Sequence, residues 1–249
     1  MNIQLEICAG SLTSAINAWL GGTHRIELCD NLPEGGTTPS PGVIRQCVEL
    51  LEIPVFVLIR PRAGDFLYTP EEFEAMKEDI AFCKEHGAKG VVLGILCDDS
   101  TVDKERTGAL VRLACPMQVT FHRAFDMTID PFQAMEDIIS LGIDRILTSG
   151  QAASARDGVP LIRQLIRKAA GRIIIMPGGG IAENNVTDLL SKTGAKEIHA
   201  SLRSPVKSGM RIVKNIFSMG MNAGCGDSWF ETNPERVRHM MNLLMEKNF

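Results

Sequence analysis

Short apolar runs alternate with amphipathic segments along the whole chain. Runs of four to seven residues rich in Val, Ile and Leu read as buried strands, and apolar residues recurring every three or four positions read as helices with one packed face. Strands are predicted at 5–8, 25–29, 55–60, 90–96, 119–122, 145–148, 172–176 and 197–201. Helices are predicted near 11–20, 41–51, 70–86, 103–114, 131–141, 155–170, 183–193 and 234–247. Thr69-Pro70-Glu71-Glu72 and Asp130-Pro131 each set a capping side chain before a first-turn proline. Gly21-Gly22, Gly87, Gly142 and Gly194 mark helix stops a few residues before the next strand.

Strict β-α alternation argues for a parallel sheet, and eight repeats argue for its closure into a (β/α)8 TIM barrel. The rival is an open doubly wound sheet, which the lack of a glycine fingerprint after the first strand weakens. No composition break or Ser/Gly linker appears, so one domain is expected over 1–249. Its one irregular stretch is about 202–232, before the last helix, a long connection expected to cover part of the site or an oligomer contact.

Composition changes this picture little. The 249 residues are 45% hydrophobic and 22% charged, as expected for a globular protein with a sizeable core. A net charge of −4 gives no broad electrostatic footprint for nucleic acid or an anionic membrane, so neither is an expected partner. The cysteines stand at 8, 29, 47, 83, 97, 115 and 225; an odd count with no C-x-x-C pair suits a reducing cytosol. Met1 leads directly into a strand-like run, with no signal peptide, and no apolar run reaches bilayer length. A cytoplasmic location is expected.

The chemistry of a barrel belongs at the C-terminal ends of its strands. Those ends carry Glu6, Glu27, Arg60, Arg62, Asp65, His122, Arg123, Asp126, Thr148, Ser149, His199, Ser201 and Arg203. Leu5-Glu6-Ile7-Cys8 and Ile26-Glu27-Leu28-Cys29 are nearly the same tetrapeptide. In a strand, residues two apart share a face, so each glutamate faces with its cysteine. If a crossover helix joins the two strands, the Glu-x-Cys tips meet at one end of the sheet. Cu(I) prefers thiolate, which makes Cys8 and Cys29 candidate metal ligands. The plain alternative is that both are small buried hydrophobes.

Phe121-His122-Arg123-Ala124-Phe125-Asp126 places a titratable group, an anion clamp and an orienting carboxylate within five positions. Gly178-Gly179-Gly180 follows the seventh strand, where backbone amides are able to cradle a phosphate; a glycine run also serves a tight turn. Glu34-Gly35-Gly36-Thr37-Thr38 is read as a hydroxyl-bearing lid or an inert turn. No lysine stands at a strand end, which counts against a Schiff-base aldolase.

Together these residues resemble the CutC family, named for copper homeostasis. The matching segments are LEIC, RIELC, EGGTTPS, IRPRAGDF, TFHRAFDM, LTSG, MPGGGI and the His199-Ala200-Ser201 strand end followed by Ser208-Gly209-Met210. They keep the family's order from residue 5 to about 210. Ala63 stands where the family usually has glycine, and Thr23-His24 where Ala-Asp is usual. His24 falls at the far end of its strand and is not counted as a ligand. The resemblance implies a (β/α)8 barrel, a cytoplasmic location, homo-oligomers (dimer or tetramer) and a proposed Cu(I) site, carried onto Cys8 and Cys29.

Two functions are expected from these residues. The first is a copper homeostasis protein that binds Cu(I) through Cys8 and Cys29, with no organic cofactor. The alternative is a barrel enzyme with lyase, isomerase or hydrolase chemistry on a small anionic, sugar-like metabolite. There Glu6, Glu27, His122 and Asp126 form the catalytic set, and Arg60, Arg123, Gly178, Gly179, Gly180 and Ser201 bind the anion.

Overall fold

The computed structural model describes residues 3–211 and 228–246; Cys225 and most of the 211–232 segment lie outside them. Eight parallel strands form one sheet: β1 (Gln4–Ala9), β2 (Arg25–Leu28), β3 (Val55–Leu58), β4 (Gly90–Leu93), β5 (Gln118–Phe121), β6 (Arg145–Thr148), β7 (Ile174–Pro177) and β8 (Glu197–Ala200). Their order runs from β7 down to β1 and then to β8, and a parallel bridge between Gly178 and His199 brings the two edges together. Helices follow the strands in turn: α1 (Leu12–Leu20), α2 (Pro41–Leu50), α3 (Pro70–Glu85), α4 (Lys104–Ala114), α5 (Pro131–Ser140), α6 (Val159–Ala169), α7 (Val186–Thr193) and α8 (Pro234–Glu246). The result is the (β/α)8 barrel that the alternation predicts.

Local signals place these elements much as expected. Thr69 and Glu72 form a reciprocal capping box at the start of α3, and the Asp130 carboxylate accepts two amide protons at the start of α5. Gly194 closes α7 in the left-handed conformation that glycine adopts without a steric penalty. The stretch expected to be irregular differs: β9 (Arg203–Lys207) pairs antiparallel with β10 (Ser228–Thr232) ahead of α8. Exposure gives the reason: β9 is half-buried or exposed throughout, and Ser228, Trp229 and Phe230 of β10 are exposed, so neither strand shows a buried apolar run.

The period of two divides the strands between two cores. Leu5, Ile7, Ile26, Leu28, Val55 and Val57 point outward and pack against the helix layer. Cys8, Cys29, Phe56, Leu58 and Val92 form a separate apolar cluster inside the barrel. Barrel interiors are usually filled by branched apolar residues. This one also buries Glu6, Arg25, Glu27, Arg145 and Glu197, and those charges are where its chemistry begins.

Candidate functional site

Parallel register sets the site. Glu6 lies opposite Arg25 on one side and His199 on the other, while Cys8 lies opposite Glu27. Deep in the barrel, Arg25 donates from Nε to Glu6 and from Nη2 to Glu197 (2.6 Å), and Arg145 Nε donates to the same Glu197 oxygen (3.2 Å). Both guanidinium groups also sit about 5 Å from the centre of the Phe56 ring (4.9 and 5.0 Å), close enough for cation–π attraction. Gly90 makes room for that ring: a Cβ there would lie 2.5 Å from Phe56 Cε2. Burial works to raise the Glu6 carboxyl, but the Arg25 charge and the His199 hydrogen bond overcome it and hold the pKa at about 2. Glu6 is therefore an ionised structural anchor for its neighbours.

Above this ladder the chemistry changes. The Sγ atoms of Cys8 and Cys29 lie 3.5 Å apart, within a sulfur hydrogen bond. His199 holds Glu6 through Nδ1 at 2.8 Å and faces Glu27 through Nε2 at 3.5 Å. Cys47 and Cys83, buried among strands and helices, show what burial does to a thiol: both are pushed up to about 12. Cys8 moves the opposite way. The hydrogen bond from Cys29 holds it well below its usual range, burial opposes, and His199 adds to the lowering. Cys29 rises correspondingly, first through that same bond and then through burial. The two sulfurs are thus driven in opposite directions, Cys8 toward the thiolate and Cys29 toward the thiol.

Glu27 is pushed well above the usual carboxylate range by burial and by the Cys8 charge, with His199 opposing. Burial works to lower His199, yet Glu27, Cys8 and Glu6 around it raise it well above its usual range. The interior around these thiols therefore holds Arg25, Arg145 and His199 against Glu6, Glu27 and Glu197. Donor atoms of Cys8, Glu27 and Cys29 all lie within 4.8 Å of one another, so these three residues could hold a metal ion. Two thiolates and one carboxylate form a donor set that suits a soft cation.

The other expected site residues gather at the mouth of a cavity of about 340 Å³ whose floor is Cys8, Glu27 and His199. His122 and Arg123 line it, with Asp126 at the rim. His122 Nδ1 accepts the Ala124 amide proton (3.2 Å), and Nε2 has no partner among the described residues. Burial and the Arg60 charge bring its pKa down to about 3. Asp126 accepts from Thr148 Oγ1, the Ser149 hydroxyl and the amides of Ser149 and Gln151, and it pairs with Arg123 Nε at 2.8 Å.

Arg60 also lines this cavity, and its guanidinium donates to the carbonyls of Glu34, Gly36 and Gly64, fastening two loops. The glycine loop after β2 is thereby a socket for Arg60, and Thr38 Oγ1 accepts the Arg60 amide. Gly178 packs tightly, since a Cβ there would meet Leu147 Cδ1 at 2.5 Å, whereas Gly179 adjoins Arg123. Gly180 O accepts from Asn185 Nδ2, and Ser201 O accepts from Thr232 Oγ1. Neither approaches the thiol pair through any of these bonds.

The expected site set omits His199, although it joins both glutamates and Cys8. The signal is a histidine two residues after a glutamate in Glu197-Ile198-His199, which puts both inside the barrel. Arg25, Arg145 and Glu197 also escape notice, because they stand at strand starts rather than strand ends. His24 behaves as expected: its Nδ1 accepts the Leu5 amide at the bottom of the barrel, away from the thiols.

Similarity to known proteins agrees with this geometry. The chain is 49% identical to a copper homeostasis protein cutC homolog of Homo sapiens over 223 residues, covering 90% of this chain and 82% of the human one. It is 48% identical to a CutC family protein of Chromobacterium violaceum over 244 residues, covering 98% and 99%. The crystal structure of CutC from Streptococcus agalactiae superposes with a TM-score of 0.76 at 36% identity, covering 80% of this chain and 98% of that one. A phosphoribosylanthranilate isomerase of Pyrococcus furiosus, at 14% identity and a TM-score of 0.58 over 98% of this chain and all of the other, shares the fold alone. The model of the CutC family matches residues 3–204, and the chain belongs to that family.

Proposed function

We propose that this chain is a cytoplasmic copper homeostasis protein that takes up Cu(I) as cargo between the thiolates of Cys8 and Cys29. One observation carries the reading: two buried sulfurs lie 3.5 Å apart at the mouth end of the barrel, within a hydrogen bond of each other. Soft thiolate donors favour Cu(I) over hard cations. A monovalent ion that replaces a thiol proton leaves the charge of the pair unchanged, whereas a divalent ion adds a positive charge unless a second proton also leaves. The human and mouse relatives are both named for copper homeostasis, which supports the same ligand.

The test is X-ray absorption at the copper edge on protein loaded anaerobically with one equivalent of Cu(I). A first shell of two sulfurs is expected, lost in the Cys8→Ser/Cys29→Ser variant. A shell of nitrogen and oxygen donors, or a sulfur shell that survives the double substitution, sinks the proposal.

A barrel enzyme acting on a small anionic metabolite is the second reading, and one observation favours it. A cavity of about 340 Å³ above the thiols is far more than a single ion requires.

A further inference from the structure

We propose that this cavity is a binding site for a small organic anion, a carboxylate or phosphate with a polar body, held by Arg123 at the mouth and by His122 in the wall. The proposal rests on the second reading's cavity and is independent of copper. Its size is the first ground. A water occupies roughly 30 Å³ of liquid and small-molecule sites begin near 300 Å³, so about 340 Å³ suits a compact metabolite.

His122 is the second ground. Its ring fits because β4 is followed by glycine: a Cβ on Gly94 would lie 2.7 Å from His122 Nδ1. The ring also tilts against Phe66, with centroids 4.8 Å apart. Because Nδ1 accepts the Ala124 amide, the neutral ring carries its proton on Nε2. That N–H is buried, adjoins the cavity and has no acceptor among the described residues. A buried donor left without a partner costs about 1–3 kcal/mol. Support of the Ala124 amide accounts for Nδ1 and leaves Nε2 unexplained; an oxygen of a bound ligand supplies the missing acceptor.

Arg123 is the third ground. Asp126 holds its Nε and Ser149 Oγ its Nη2, at 2.8 and 2.9 Å, which fixes the plane of the guanidinium. Nη1 makes no hydrogen bond within the described residues and lies 3.7 Å from the place a Gly179 Cβ would take. Gly179 keeps that space clear, and its φ of +99° suits glycine alone. A fixed fork with one open edge is a good receptor for a planar or tetrahedral anion.

Charge points the same way. Arg60 is buried against backbone carbonyls with no carboxylate partner among the described residues, and Asp126 already faces Arg123. The cavity lining thus carries Arg60, Arg123 and His199 against Asp126 and Glu27, one basic group in excess, which suits an anion.

Calorimetric titration of reduced, metal-free protein tests this with inorganic phosphate, glycerol 3-phosphate and glycerate as probes. At least one organic probe is expected to bind saturably and more tightly than inorganic phosphate. Its affinity should fall tenfold or more in Arg123→Met and in His122→Phe. It should not change in Arg172→Met, which removes a surface arginine paired with Glu136. Arg123 is half exposed, so its variant keeps the fold if His122→Phe does not. Preference for glycerol 3-phosphate or for glycerate assigns the phosphate or carboxylate source. No saturable binding by either organic probe, or binding indifferent to Arg123→Met, overturns the proposal.

Discussion

Leu5-Glu6-Ile7-Cys8 and Ile26-Glu27-Leu28-Cys29 are near copies in adjacent parallel strands, yet their glutamates do opposite things. The register pairs Glu6 with Arg25 and Glu27 with Cys8, so the second copy sits one inward-facing residue higher in the barrel. Glu6 meets a guanidinium and His199 and stays ionised. Glu27 meets the Cys8 sulfur, and burial and that neighbour push it well above the usual carboxylate range. Burial alone does not tell a structural carboxylate from a reactive one, because both are below 5% exposed. Partners decide: charges deep in the barrel are matched, while those near the thiols are shared or left over.

The largest effect should come from breaking the matched half. Glu6→Gln leaves Arg25 with one carboxylate instead of two, and losing a partner from a buried pair costs about 3–5 kcal/mol. Urea unfolding at pH 7 measures this. Glu27→Gln, which keeps the shape and removes a carboxyl whose ionisation burial disfavours, should change stability by less than about 1 kcal/mol. Equal losses would erase the distinction between the two copies. The pH dependence follows from Glu6, whose folded pKa of about 2 lies below its ordinary 4.5. Its contribution is full above pH 4.5 and disappears as pH falls through 2, amounting to about 3 kcal/mol by linkage.

His122 acts at milder acidity. Its folded pKa of about 3 lies below the ordinary 6.5, so the unfolded chain takes up a proton first as pH falls. Stability is lost from pH 6.5 downward, by roughly 2 kcal/mol at pH 5. In His122→Asn, which retains an acceptor for the Ala124 amide, the loss between pH 7.5 and pH 5 should shrink by that amount. An unchanged pH profile would show that the ring is not held neutral.

The smallest stability effect should belong to the thiols. Cys8→Ser/Cys29→Ser keeps the shape of the pair and its hydrogen bond, so unfolding free energy should move by only about 1 kcal/mol. Ligand binding, in contrast, should be abolished.

Much of this was legible in the chain. Alternation of short apolar runs with capped helices specifies the barrel, and the period of two puts Glu6 with Cys8 and Glu27 with Cys29 on the inner face. The protonation states were not legible. They depend on a register between strands and on the meeting of β1 with β8, where His199 reaches Glu6 across 193 positions of sequence. The surroundings of Arg60 were not legible for a related reason: in the run Ile59-Arg60-Pro61-Arg62 nothing shows that carbonyls from a loop more than 20 residues away enclose it. The His122-Arg123-Asp126 segment was easier to read, because its Arg–Asp contact is local.

The most direct measurement is an anaerobic titration of the reduced protein with Cu(I) in competition with a chromogenic chelator, counting protons released in a weakly buffered solution. Copper held between the two thiolates requires one tightly bound copper and release of a thiol proton at neutral pH, both absent from Cys8→Ser/Cys29→Ser. Copper bound with no proton release, or bound equally well by the double variant, would contradict the assignment of these two sulfurs.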